Sequence, residues 1–217
     1  MIKLMLVDDH DLVRTGIKRL LEDHQGFEIV AEATSGEEAL SQINAADPDV
    51  VLMDINMPGI GGLEATRKLL QSRPGIKIIV VTMHDDDLFP QRLLKAGALG
   101  YVTKGAKVEE IIKAINTVMA NRRYISPVIA QQMALSNLAE EEDSPFENLS
   151  ERELQVLMMM MDGQSISAIS EKLFLSPKTV STYRSRLYSK LNVKNDIELA
   201  RKALLYGIVE NTAKLKT

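Results

Sequence analysis

Three carboxylates, a hydroxyl and an amine stand where metal-assisted phosphoryl transfer would need them. Asp8 and Asp9 close the apolar run Ile2–Val7, and Asp54 closes Val50-Val51-Leu52-Met53. Thr82 follows the run Ile76–Val81, and Lys104 follows Gly100-Tyr101-Val102-Thr103. Carboxylates gathered without cysteine or histidine make an all-oxygen site, suited to a hard divalent ion such as Mg²⁺ or Mn²⁺. Left uncompensated they would repel one another, so a cation or a protonated member is expected among them. An ion and an ammonium can neutralise phosphoryl oxygens while a carboxylate oxygen attacks in line. A single Asp after a strand merely opens a turn. Recurrence at four strand ends points to a site.

Such a site needs a scaffold that brings strand ends to one rim. Strands are expected at Ile2–Val7, Phe27–Ala31, Asp49–Met53, Ile76–Val81 and Gly100–Thr103. Between and after them, apolar residues at helical spacing predict helices over Leu12–Leu21, Gly62–Gln71, Asp87–Ala96 and Val108–Met119. Ser35 with Glu38 reads as a capping box ahead of a further helix through Ile43. Strand and helix alternate five times in about 120 residues, which calls for an α/β doubly wound five-stranded parallel sheet. Ligands of such sheets bind outside the carboxyl ends of the strands.

The remaining chain has another character. Residues 1–149 carry 15 Lys and Arg against 23 Asp and Glu, whereas residues 150–217 carry 11 against 7. An acidic body with a basic end suggests different partners for the two halves. No apolar run approaches the roughly 18 residues that span a bilayer, and the start turns acidic too early for a secretion signal. The absence of cysteine excludes disulfides and fits a reducing cytoplasm. Arg122–Pro127 breaks the strand–helix pattern, Val128–Leu138 reads as a helix, and Glu140–Pro145 has the composition of a solvated tether. Ser150 and Glu153 form a second capping box, stapled by Leu149 and Leu154. The run Met158–Met161 reads as adaptable core filling. A short helix over Ile166–Leu173, a turn at Phe174-Leu175, and a helix opened by Ser176-Pro177 and running to about Leu191 make a small all-α helix-turn-helix candidate. At about 100° per residue, Val180, Leu187 and Leu191 share one side of that last helix, with Tyr183 at the edge. Lys178, Ser181, Thr182, Ser185 and Ser189 share the other, flanked by Arg184, Arg186 and Lys190. Small hydroxyl side chains admit a helix to a major groove, and flanking cations reach phosphates.

Residues 1–121 resemble the receiver domain of two-component response regulators, a flavodoxin-like fold. The likeness rests on Asp8-Asp9, on Met53-Asp54-Ile55-Asn56-Met57-Pro58-Gly59, on Thr82 and on Lys104 behind Tyr101. It implies that Asp54 accepts a phosphoryl group from a sensor histidine kinase or a histidine phosphotransfer domain. It implies Mg²⁺ held by Asp9, Asp54 and the backbone carbonyl of Asn56, with Asp8 acting through water. Lys104 would pair with the phosphoryl group, Thr82 would move to hydrogen-bond it, and Tyr101 would rotate inward. Gly105 departs from the proline that many receivers carry after this lysine. His84 reads as an exposed rim residue or as one that biases access of water. Residues 149–217 resemble the LuxR-type DNA-binding domain through Leu149-Ser150-Glu151-Arg152-Glu153, Ile169-Ser170, Leu175-Ser176-Pro177-Lys178-Thr179-Val180 and Lys190-Leu191-Asn192-Val193. That implies a fourth helix over Asp196–Tyr206 with a possible dimer surface. It also implies base contacts from Ser181, Thr182 and Ser185 and backbone contacts from Lys178, Arg184 and Lys190. Tyr183 and Asn195-Asp196 depart from the usual histidine and basic residue. Residues 122–148 would form the linker. The combination is similar to the NarL/FixJ class, and over its length to the GacA/UvrY group. It implies a homodimer on promoter DNA, with no membrane partner, that activates small regulatory RNA genes.

Two other classes stay open at this point. An aspartyl-phosphate hydrolase would need a carboxylate two residues after the nucleophile, where Asn56 stands. A protein-interaction switch would use the same receiver without DNA.

Overall fold

A computed structural model describes residues 1–82, 88–138, 144–206 and 208. His84, Asp87 and residues 140–143 of the charge run lie outside the described residues. Two compact units divide the chain, the first ending with Ala134 and the second starting at Leu135.

The first unit alternates strand and helix as expected: β1 (Ile2–Val7), α1 (Asp11–Glu22), β2 (Phe27–Ala33), α2 (Gly36–Ala46), β3 (Val50–Asp54), α3 (Gly61–Ser72), β4 (Lys77–Thr82), α4 (Leu88–Ala96), β5 (Gly100–Thr103) and α5 (Val108–Met119). The strands pair in parallel in the order β2-β1-β3-β4-β5. Successive strand residues point to opposite faces, and here both faces are covered. Leu4, Leu6, Val50, Leu52, Ile79 and Val81 share a cluster with Leu21 of α1 and Ile111, Ile115 and Val118 of α5. Met5, Val7, Val51, Met53 and Ile78 share the other cluster with Ile43 of α2 and Leu69 of α3. Burial on both faces explains why the strands read as unbroken apolar runs. The chain pairs β1 with β2 on one side and with β3 on the other, so the strand order reverses at β1 and opens a crevice at its carboxyl end.

One departure concerns the segment expected to break the pattern. Tyr124–Ile125 forms a sixth strand, β6, parallel to β5. Without it β5 would be a bare edge with unpaired backbone groups. Instead Tyr124 N–H donates to the Leu99 carbonyl at 2.9 Å and Ser126 N–H to the Tyr101 carbonyl at 2.9 Å. Two residues are too few to show a period. The helix that follows, α6, spans Pro127–Leu138, so part of the expected linker belongs to the first unit.

In the second unit a 3₁₀ turn (Pro145–Asn148) precedes α7 (Glu151–Met161), α8 (Ile166–Lys172), α9 (Pro177–Lys190) and α10 (Asp196–Leu205). Each helix has a side-chain N-cap: Ser150 with Glu153 in a full capping box, then Ser165, Ser176 and Asn195. Leu154, Leu157, Ile169, Leu173, Val180, Leu187, Leu191 and Leu199 are fully or nearly fully buried. Met158–Met161 are only half-buried, and Met160 and Met161 line a surface depression of about 590 Å³ with Ile166 and Ile197. Four consecutive helical residues spread over about 300°, so they cannot all face a core.

Candidate functional site

The crevice gathers the predicted residues of the first unit. Asp8 and Asp9 follow β1 directly, and Asp54 ends β3 with only 2% exposure. Lys104 leaves β5 with its N–H donating to the Thr82 carbonyl at 2.7 Å, which joins the ends of β4 and β5. Its Nζ then lies 2.7 Å from Asp8 Oδ2 and 2.9 Å from Asp54 Oδ2. Thr82 is buried, and Tyr101, expected to rotate inward, is already fully buried. Asn56 is exposed and donates its N–H to Asp54 Oδ1 at 3.3 Å.

Local sequence holds this geometry. Gly62 N–H donates to the Ile55 carbonyl at 2.9 Å. A Cβ there would sit 1.9 Å from the Asp54 carbonyl oxygen, so only glycine lets α3 begin against the end of β3. Glu37, on α2, accepts from Ile60 N–H at 3.0 Å and steadies the loop after Asp54. Arg14, on α1, donates to the Asp8 carbonyl at 2.7 Å and to Glu32 at 3.3 Å.

The charges set the chemistry. Burial pushes the Asp54 carboxyl above its ordinary value, and the hydrogen bond and charge of Lys104 only partly oppose it. Burial works against the Lys104 ammonium too, but Asp8 and Asp54 outweigh it and hold its proton more tightly than usual. Atoms of Asp8, Asp9, His10 and Asp54 that could each ligate one ion lie within 4.8 Å of one another. A divalent ion therefore fits the donor set, with Lys104 as the cation that now offsets it. His10 is the member that sequence reasoning passed over. Its Nδ1 lies 3.0 Å from Asp9 and 3.2 Å from Asp8. The signal was its place directly after the acidic pair, on a ring that remains mostly exposed.

The second unit presents α9 as its angles predicted. Val180, Leu187 and Leu191 are buried, while Lys178, Ser181, Thr182, Ser185 and Ser189 are exposed. Thr182 and Ser185 donate their hydroxyls to the carbonyls of Lys178 and Ser181 at 2.9 and 3.0 Å, leaving oxygen lone pairs outward. The flanking cations are less free than expected. Arg184 pairs with Asp196 through Nε at 3.0 Å and Nη2 at 2.5 Å. Lys190 Nζ lies 2.7 Å from the buried Glu153 carboxylate and donates to the Asn148 carbonyl at 3.1 Å.

Residues 4–116 match the response regulator receiver domain, and residues 147–203 match the bacterial regulatory proteins of the luxR family. The chain belongs to the response regulators with a LuxR-type domain. The response regulator GacA of Pseudomonas aeruginosa is 55% identical over 211 residues, covering 97% of this chain and 99% of its own length. The response regulator UvrY of Escherichia coli K12 is 51% identical over 209 residues, 96% of each chain. Among solved structures, a LuxR-family regulator from Aurantimonas sp. SI85-9A1 matches with a TM-score of 0.61 at 43% identity, covering 63% of this chain and 97% of that one. The RcsB–DNA complex matches with a TM-score of 0.59 at 25% identity, covering 96% and 99%. This response regulator is thus similar to the RcsB–DNA complex over nearly its whole length and to the Aurantimonas regulator over about two thirds of it. Among its described residues no helix is long and apolar enough to cross a membrane.

Proposed function

We propose that this response regulator is a transcription regulator switched by phosphorylation. Asp54 takes a phosphoryl group from a sensor histidine kinase or a phosphotransfer protein, and a homodimer then binds promoter DNA through α9. The observation that carries the reading is Lys104, whose ammonium lies 2.7 and 2.9 Å from two carboxylates at the strand-order reversal. A carboxylate oxygen of Asp54 attacks the donor phosphorus in line. A P–O bond forms, the P–N bond breaks, and its electron pair leaves on the imidazole nitrogen. Mg²⁺ or Mn²⁺, held by Asp9, Asp54 and the Asn56 carbonyl with Asp8 acting through water, would neutralise phosphoryl oxygens when bound. Lys104 turns from its carboxylates to the phosphoryl oxygens. Thr82 donates its hydroxyl to the same group, with Tyr101 packed behind it.

The regulator turns over no external substrate beyond its own phosphorylation and dephosphorylation, because Asn56 supplies no carboxylate for general acid–base work. In the output unit Ser181, Thr182 and Ser185 face base edges and Lys178 meets the backbone. Arg184 and Lys190 reach phosphate only by leaving Asp196 and Glu153. Phosphorylation strengthens DNA binding by freeing α9 from the receiver or by promoting pairing. Residues 1–121 act as receiver, 122–148 as linker and 149–217 as reader. The targets include promoters of small regulatory RNAs, and the protein works in the cytoplasm, where that DNA lies.

The deciding experiment measures binding of the full-length protein to promoter DNA with and without acetyl phosphate and Mg²⁺, beside Asp54→Asn. Affinity that rises only in the wild type supports both ends of the mechanism. Sequence-preferring binding indifferent to phosphorylation would remove the switch, and no such binding would remove the DNA reader.

A further inference from the structure

One of the two arginines that flank the DNA-facing stripe of α9, Arg184, is turned away from it. At about 100° per residue, Arg184 leaves the helix about 40° from the buried Val180 and about 120° from Lys178. It therefore points along the border between core and groove face, toward α10. There its guanidinium meets Asp196, the first residue of α10, in a two-pronged pair at 3.0 and 2.5 Å. Tyr188, one turn along α9, completes the arrangement. Its hydroxyl donates to Asp196 Oδ1 at 2.5 Å, accepts from Arg184 Nε at 2.8 Å, and its ring lies 5.4 Å from the guanidinium carbon. A planar fork with two carboxylate oxygens and a ring is geometrically demanding, and lysine could not reproduce it.

We propose that Arg184, Tyr188 and Asp196 form a clasp that seats the reading helix against α10, so that Arg184 is a positioning residue and not a phosphate contact. The proposal rests on the DNA-binding reading and deepens it. The charge pattern favours the clasp. Asp196 is a half-exposed carboxylate beside a surface that must approach phosphates, and it repels them unless Arg184 neutralises it. Placing an acid where a cation would add affinity makes sense when what is gained is the angle of α9. The hydroxyls of Ser181, Thr182 and Ser185 are short, so a small tilt of the helix takes them out of reach of base edges while leaving cations near the backbone. The clasp should therefore control discrimination between sequences more than overall attraction.

Opposite signs separate the two roles of Arg184. If it were a phosphate contact restrained by Asp196, Asp196→Asn would release it, tighten binding to any DNA, and steepen the salt dependence by about 0.9 per contact. The clasp predicts the reverse. Binding of full-length protein with beryllium fluoride and Mg²⁺ is measured on a duplex that the wild type selects from a random pool, and on a scrambled duplex, across a salt series. Asp196→Asn and Arg184→Gln should each lose roughly tenfold on the selected duplex, a typical coupling for one network, and the double variant should lose no more. Affinity for the scrambled duplex and the salt slope should hold, Asp196→Glu should recover part of the loss, and the melting temperature reports that the unit stays folded. Tighter binding by Asp196→Asn, a shallower slope in Arg184→Gln, or additive losses would overturn the clasp. A wild type that selects no duplex would instead overturn the DNA-binding reading, and the clasp's role with it.

Discussion

Replacing Lys104 with methionine tests the charge balance of the crevice most directly. The side chains of Lys104 and Asp54 are 3% and 2% exposed, and Asp8 is 7% exposed, so the variant leaves two buried carboxylates facing each other without a cation. Removing one partner of a buried pair costs about 3–5 kcal/mol. The carboxylates can limit that cost by sharing a proton. Each pKa unit gained corresponds to about 1.4 kcal/mol, so holding one proton at pH 7 costs about 4 kcal/mol. The two routes agree in size. The pH dependence follows from the sign: a carboxyl raised in the folded state makes folding bind a proton, so the deficit is smallest near pH 5 and grows as pH rises through the raised value. Thermal unfolding of Lys104→Met and wild type between pH 5 and 8, with and without Mg²⁺, is the assay. For a receiver of this size the deficit at pH 8 corresponds to a drop on the order of 10–20 °C in melting temperature. Mg²⁺ should restore more of it in the variant than it adds to the wild type, because an ion supplies the missing charge. A variant that melts within a degree of wild type at pH 8, or whose deficit relative to wild type is larger at pH 5 than at pH 8, would refute the reasoning.

Gly62→Ala would press a Cβ to 1.9 Å from the Asp54 carbonyl; urea unfolding should show a loss of about 1–3 kcal/mol or more, with phosphorylation by acetyl phosphate slowed as Asp54 shifts. Arg14→Ala removes the donor to the Asp8 carbonyl, and the rate of phosphorylation by acetyl phosphate should fall roughly tenfold through misplacement of the acidic pair, an unchanged rate counting against that role. Burial alone would raise Glu153, but Lys190 and the Ser150 cap hold it below its ordinary value. Its stabilisation is therefore full above the ordinary value of about 4.3 and lost as pH falls through the lower folded value, so an acid melt should be steeper for wild type than for Glu153→Gln. Binding of the selected promoter should weaken by roughly 10³–10⁵ between 50 and 200 mM salt if about six to ten phosphates are contacted per dimer, and a flat response would exclude that mode of docking.

How far the sequence reveals the molecule depends on the range of each interaction. Gly100–Thr103 and Val108–Met119 are bounded to the residue because apolar periodicity is local. The capping box at Ser150 was equally legible, since both its hydrogen bonds span three residues. The box at Ser35 is half made: Ser35 accepts from Glu38 N–H, but the Glu38 carboxylate turns to Thr34 instead. The neighbouring residue won because Thr34 offers both a hydroxyl and an N–H. The rim residues were legible because a parallel sheet delivers every strand end to one side, whatever the loops do. Their pairing was not, because nothing in Lys104 says that it contacts Asp8 across 96 residues as well as Asp54. The cations of α9 show the same limit in a sharper form. Their angles gave the correct face for Lys178, Ser181, Thr182 and Ser185, which depend only on their own helix. Arg184 and Lys190 were assigned to DNA by charge, yet their nearest carboxylates stand on α10 and α7. A long cationic side chain is flexible enough to answer to the closest acid, wherever the fold puts it. In this regulator the short hydroxyl side chains of α9 therefore keep the exposed face that their angles give, whereas the long cations follow the carboxylates of neighbouring helices.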